Sequence, residues 1–473
     1  FDFNYIAYPW ANYIDIYNAK KGEKNISSIQ NFINYNCTVT FPKNNLNITC
    51  FQSYHIWDFI DDFKKMNINI VFSPHCEIDK SNKIFLEHKI LILPIFLIPM
   101  IVPDFKYLDF NILYNKDMLN PDFDLDYFKK HNKIEFGLKK YDFSFVGSCK
   151  YNNENLSNFR LKCLNIIKDK DKSYVFDTKK WHLNELIYEK KTGNSTIINK
   201  HIRELNYFQN MIYSKYILCT KGVGPNSFRI SETIKFKNIP IIIADKLMLP
   251  KINDISYDKY SIVIKENELD TLINLDINNY NTDILYKNIE LAANYLNNLA
   301  NPIIDFFDER FNLLTVWFDM DTTTTRFKEY LHVINLNLKN NNIKKIYLFF
   351  EYLENFNLDE ILNKFDFFKN DKIIIIPKKK NYKRHISFNE MIEFSNKNLF
   401  GEKILISNND IYFENLNKVK KDKLILKNMV LALTRTNVFD MIDGNGNIWH
   451  KNTMSQDSWI FVSPIKIPND IVY

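Results

Sequence analysis

Glycine is scarce in this chain, with nine in 473 residues. So little of the residue that supplies left-handed turns and loose linkers excludes collagen-like and Gly/Ser-linker architectures. Cysteine is scarce too. The six present form no Cys-x-x-Cys pair and have no spacing with histidine that suits zinc, so neither a disulfide scaffold nor a zinc centre is expected. Spacing alone admits one bridge, Cys37 to Cys50 across a hairpin. No apolar run reaches 18 residues: the longest, Ile90 to Val102, is interrupted by Pro94 and Pro99 and is too short to span a bilayer. Charge of one sign is also lacking. The net +6 is the small difference of 62 basic and 56 acidic residues, which are interspersed as on a solvated surface and leave no nucleic-acid footprint. The basic stretch Lys378 to Arg384 reads as a solvated loop, and the sequons at Asn25, Asn36, Asn47, Asn155 and Asn194 are what chance yields in a chain rich in Asn, Ser and Thr.

What is present is globular. Hydrophobic residues make up 46% and aromatics 15%, and 473 residues exceed a single ordinary core, so two to four domains are expected. β-branched apolar runs alternate with helical spacing along most of the length, which predicts stacked α/β domains with largely parallel sheets. The series divides at a polar, aromatic-rich connection over about 104–139 and again at an apolar helix from Ile303 to Phe311. The expected domains are 1–139, 140–311 and 312–473. The chain opens on Phe, which predicts a trimmed start, and the expected location is cytoplasmic, or a secretory lumen if an anchor was removed.

The most informative segment is Lys221-Gly-Val-Gly-Pro-Asn-Ser-Phe-Arg229 with Glu232. It follows the strand-like Ser214 to Thr220 and precedes a helix expected from about Asn226. A strand, a glycine-bearing loop and a helix N-terminus bring backbone N–H groups and a helix dipole to bear on phosphate. Gly222 and Gly224 allow close backbone approach, Asn226 or Ser227 can cap the helix, and Arg229 in its first turn can neutralise a diphosphate. Glu232, at i+3 on the same face, can accept hydrogen bonds from ribose hydroxyls.

Read whole, Ser214 to Pro250 resembles the signature of the exostosin-like glycosyltransferases: a Ser-Lys strand, a basic-Gly-x-Gly loop, a Ser-Phe-Arg helix with Glu, a Pro-Ile-Ile strand and a closing Leu-Pro. Upstream, Phe143-Ser-Phe-Val-Gly-Ser148 with Arg160 looks like the start of that family's donor domain. The resemblance implies a GT-B architecture, two Rossmann-like domains facing across a cleft, with inverting transfer from a UDP-sugar to a glycan hydroxyl and no essential metal. It passes the donor role to Lys221, Gly222, Ser227, Arg229 and Glu232. The family often has Arg where this chain has Thr220-Lys221, and lysine keeps the charge without the bidentate fork. An inverting reaction needs a base from the N-terminal domain at a strand's carboxyl end. His75, after the strand Ile68 to Phe72, fits that place, with His55 and Asp58 as weaker candidates on a helix.

In the last third, Ser407-Asn-Asn-Asp-Ile-Tyr-Phe413 follows a buried strand, and a carboxylate there can hold a hard divalent cation, Mn or Mg, on a diphosphate. With Arg326-Phe-Lys-Glu329, Ile376-Pro377, Arg384 with Phe388, Leu431 to Arg435 and Ser455 to Phe461, it resembles a group of GT-A-like glycosyltransferase domains in which Asn-x-Asp-Ile stands for Asp-x-Asp. The resemblance implies a metal and diphosphate role for Asp410 and acceptor contact or a base for Asp457. Such domains usually continue beyond the position of Tyr473, so the module is read as incomplete. The expected whole is a bifunctional glycosyltransferase. The alternatives are one catalytic module beside a scaffold, or a non-catalytic carbohydrate-binding protein. Nucleotide-sugar and glycan are its expected partners.

Overall fold

The computed structural model describes residues 3–6, 10, 45–99, 136–151, 153–178, 204, 206–253, 255–318, 321–352, 357–379, 385–414, 416–439 and 447–466. Cys37, Arg384 and the connection over 104–135 lie outside them, and Cys50 is a free thiol. The fold is α/β throughout.

The first sheet is parallel, in the order β1 (Phe3–Tyr5), β2 (Leu46–Cys50), β3 (Ile70–Ser73), β4 (Leu91–Pro94). Helices α1 (Ile60–Lys65) and α2 (Ile78–His88) flank it. The helix expected to begin at Tyr54 runs as a 3-10 turn, Tyr54–Phe59, before it becomes α1. Ser53 caps that turn by accepting from His55 N.

The second sheet contains β5 (Tyr141–Gly147), β6 (Ser173–Asp177), β7 (Ser214–Thr220), β8 (Ile239–Ile243) and β9 (Ile262–Ile264), all parallel, in the spatial order β6-β5-β7-β8-β9. β8 is buried at every position, as a strand covered on both faces must be, and its isoleucines suit that pleated surface. Helices α3 (Glu154–Lys168), α4 (Phe228–Lys235) and α5 (Thr282–Tyr295) cover it. The strand order reverses between β5 and β7, and a doubly wound sheet opens its ligand crevice at the carboxyl ends of the strands at that point.

The third sheet is mixed, in the order β12 (Ile373–Lys379), β11 (Ile343–Tyr352), β10 (Phe311–Phe318), β13 (Lys403–Ser407), β15 (Asn447–Val462), β14 (Leu431–Phe439). β15 is antiparallel to both neighbours. The apolar helix expected to reach Phe311 stops earlier, as α6 (Asn301–Phe306), because Phe311 already pairs with Ile343 as the first residue of β10. Helices α7 (Thr325–Lys339) and α8 (Phe388–Asn398) follow β10 and β12.

The first and third sheets are not separate globules. Leu46, Ile70, Phe72 and Leu93 share one apolar core with Phe306, Phe311 and Trp317, and the Phe72 and Phe306 rings meet edge to face at 5.8 Å. The second sheet joins the first at its carboxyl edge. Asn226 Nδ2 donates to Pro74 O at 2.8 Å, Met248 N donates to Cys76 O at 3.0 Å, and Glu77 bridges Leu247.

Candidate active site

Loop 221–227 leaves β7 on the carboxyl side of the strand-order reversal. Ser227 caps α4 by accepting from Arg229 N at 3.4 Å, so the helix starts at Phe228 and not at Asn226. Asn226 ties the loop down instead, for its amide is spent on Pro74 O of the first sheet and its oxygen accepts from Ser227 N. A Cβ at Gly222 would meet Asn226 O at 3.8 Å, an ordinary contact. At Gly224 a Cβ would come to 2.7 Å from both His75 Nδ1 and Tyr54 Cβ, so only glycine lets the loop lie this close to the first sheet.

Arg229 and Glu232 do not form an exposed ion pair; they are 8% and 4% exposed. Arg229 Nη2 donates to Val146 O at 2.7 Å, and the guanidinium lies 4.3 Å from the Phe145 ring centroid. Its Nε and Nη1 are buried without a hydrogen-bond partner. Glu232 accepts from the Tyr207 hydroxyl. Burial, with the Glu232 charge beside it, holds that phenol well above its ordinary range, so it stays a donor. Gly147, at the end of β5, makes room for the arginine: a Cβ there would overlap Arg229 Nη2.

Lys221 points elsewhere. Its ammonium pairs with Glu266, beyond β9, and sits over the Phe159 ring. The nearer second cation is Arg160 of α3, 4% exposed, whose Nη1 donates to Lys221 O at 2.6 Å. Arg160 stands 61 residues before the loop in sequence, and the sequence pattern offers it only as part of an upstream framework. Tyr207 has no local signal at all.

His75 is brought to the loop, as the edge of Gly224 shows. It is 7% exposed, its Nδ1 is unpartnered, and burial pushes its imidazole down to about 4. It is therefore neutral near pH 7, the form in which a ring nitrogen can take a proton. His55 instead holds Asp58 at 3.1 Å on the flanking turn.

The third sheet repeats the layout. Its order reverses between β10 and β13, and Asp410 follows the end of β13. Asp410 Oδ2 accepts from Arg326 Nη2 at 2.9 Å, and its Oδ1 is buried without a partner. Ser458 pairs with Ser407 across β15 and β13, which sets Asp457 beside the same edge. Among the described residues no group of three or more His, Cys, Asp or Glu could hold a metal ion. A cavity of about 640 Å³ lies apart from both edges, where all three sheets meet, lined by Leu93, Met248, Tyr257, Phe306, Lys344 and Lys421.

Residues 118–276 match the Exostosin GT47 domain. The matched segment includes the second sheet with its loop and both buried arginines. Relatives are similar over a shorter stretch. A probable glucuronosyltransferase of Oryza sativa subsp. japonica is 31% identical over 88 residues, which are 19% of this chain and 21% of that protein. A probable beta-1,4-xylosyltransferase of Arabidopsis thaliana is 31% identical over 91 residues, 19% and 21% of the two chains. A probable glucuronosyltransferase of Physcomitrium patens is 33% identical over 66 residues, 14% and 15%. The chain thus spans about a fifth or less of the length of these curated relatives. Among solved structures, that of TarM aligns over 58% of this chain and 54% of its own at 12% identity and a TM-score of 0.24, too slight a likeness to bear on the fold. No helix among the described residues is long and apolar enough to cross a membrane.

Proposed function

We propose that the exostosin segment transfers a sugar from a UDP-sugar to a glycan hydroxyl. The observation that carries this reading is Arg229, a guanidinium buried at the strand-order reversal with Nε and Nη1 unpartnered. Buried donors without partners are costly, and a diphosphate seated on loop 221–227 and the α4 N-terminus would satisfy them. The two sheets meet across the loop as a GT-B pair would, and His75 at that seam is the base for an inverting transfer. It would take the acceptor hydroxyl proton as the oxygen attacks the anomeric carbon and the UDP leaves with the bonding electrons. Glu232 would turn from Tyr207 to the ribose or hold it through that phenol.

The third unit is proposed as a second transferase of GT-A type, with Asp410 holding a divalent cation on a donor diphosphate and Asp457 facing the acceptor. The unpartnered Asp410 Oδ1 supports it. Calorimetric titration with UDP tests both. Arg229→Ala should abolish the metal-independent binding, and Asp410→Ala only binding that requires manganese. Arg229→Ala with full metal-independent affinity would refute the donor-site reading.

A further inference from the structure

The cavity of about 640 Å³ at the junction of the three sheets belongs to neither proposed transfer site, and the charges around it do not balance. Lys421, first residue of the short helix Lys421–Lys427, lines the cavity and is 0% exposed. Its ammonium donates to Phe306 O at 2.5 Å and lies 4.0 Å from the Phe306 ring centroid, and among the described residues it has no carboxylate partner. Burial pulls that ammonium down to about 8. Of the charges acting on it, Glu402 raises it, Lys344 lowers it, and Asp308 and Glu309 raise it. Each of those carboxylates already has a cation. Glu402 pairs with Lys344 at 3.7 Å and accepts from Asn312 Nδ2 at 3.4 Å. Asp308 pairs with Arg310 at 2.7 Å. Glu309 pairs with Lys403 at 2.7 Å and accepts the backbone N–H of Lys421 at 3.1 Å, leaving the ammonium aside. The other lining carboxylates, Asp245, Asp258 and Asp305, are matched in number by the lining Lys246, Lys251 and Lys397. Lys421 is left over.

A buried ammonium without a counter-ion is costly, and its field reaches far where the surroundings are of low dielectric. Water does not reach Lys421, so an anion in the cavity would meet Lys344, whose side chain is 10% exposed, and would feel Lys421 behind it. The rest of the wall is largely apolar and comes from all three sheets: Leu93 from the first, Met248 and Tyr257 beside the second, Phe306 and Phe400 beside the third. The volume suits a small molecule, and such sites occur preferentially where domains meet. Lysine is a point charge without the guanidinium fork, which suits a single anionic head. We propose that this cavity binds a small organic anion with one carboxylate or phosphate head and an apolar body, the head joining Lys344, Lys421 and Glu402 as their second anion. Such binding requires neither transfer site. Because the walls come from all three sheets, the ligand ties them together.

The test is calorimetric titration of the full chain with octanoate, octyl phosphate, octanol and octylammonium, probes that share one apolar body and differ in the head. At least one of the two anions should bind about tenfold or more tightly than octanol, and octylammonium no better than octanol. The tighter anion identifies the head as carboxylate or phosphate. Lys421→Met and Lys344→Met each remove one ammonium at similar volume. Each should weaken that anion about tenfold and leave octanol within about twofold, and Lys344→Met serves if the Lys421 variant does not fold. Met248→Trp fills the apolar part of the cavity and should weaken anion and alcohol alike. The preferred anion should also raise the melting temperature of the parent as its concentration rises. Equal affinity of the parent for the anions and octanol would overturn the inference. So would parental anion affinity in either folded lysine variant, or a parent chain that binds none of the probes.

Discussion

Gly147→Ala is a one-carbon change whose consequence follows from the geometry. The added Cβ would overlap Arg229 Nη2, while the next neighbours, Arg229 Cζ at 3.5 Å and Phe145 Cζ at 3.6 Å, would be ordinary contacts. The guanidinium must move, and the 2.7 Å bond from Nη2 to Val146 O is lost or stretched. A hydrogen bond from a charged group contributes about 1.5–3 kcal/mol, and an extra methyl in a packed site costs about 1–3 kcal/mol. The two overlap, because one displacement causes both, so a loss of about 2 kcal/mol in unfolding free energy is expected. If Arg229 holds the ligand, UDP affinity falls by about tenfold or more as well, since about 1.4 kcal/mol is a factor of ten. Gly222→Ala is the control: the nearest atom to its Cβ is Asn226 O at 3.8 Å, an ordinary contact, and stability should change by less than about 0.5 kcal/mol. Urea unfolding of the two variants, each with and without Arg229→Ala, completes a double-mutant cycle. The Gly147 cost should largely vanish once Arg229 is gone. Equal costs for Gly147→Ala with and without the Arg229 side chain would refute the reasoning.

Other outcomes are expected from the same structure. His75 is held at about 4 by burial, against about 6.5 in an unfolded chain. The unfolded state therefore binds more protons between those values, and about 3 kcal/mol of stability present above about pH 6.5 is lost as the pH falls towards about 4. Urea midpoints measured across that range should show the slope, and His75→Gln should flatten it. The thiols of Cys149, Cys163 and Cys219 are pushed up by burial to about 11, 12 and 12, so at about pH 8 iodoacetamide should label half-buried Cys50 well before them, as peptide mass mapping would show. Ser387 and Glu390 form a capping box at the start of α8, and Ser387→Ala should cost about 1 kcal/mol in thermal unfolding.

The stretch from β7 through loop 221–227 to α4 is legible in the sequence because its signals are local. β-branched residues make a strand, two glycines make a close loop, and Ser227 followed by helical spacing starts a helix. Asp410 after β13 is legible for the same reason. The boundary near Phe311 is not, because an apolar run carries no mark of whether it closes a helix or opens a strand, and only pairing with Ile343 decides it.

By itself the sequence determined the local grammar of this protein: α/β composition, three successive sheets, and a glycine-bearing loop between a strand and a helix. Tertiary structure decided which cations face the crevice. Lys221 is adjacent to the glycines in sequence yet is drawn to Glu266 across β9, whereas Arg160 arrives from a distant helix because the strand order reverses between β5 and β7. Tertiary structure also set Gly224 against His75 and fused the first and third sheets around Phe72 and Phe306. Each of these depends on the direction of a side chain across a sheet edge, and residue spacing along one strand or helix does not contain that direction.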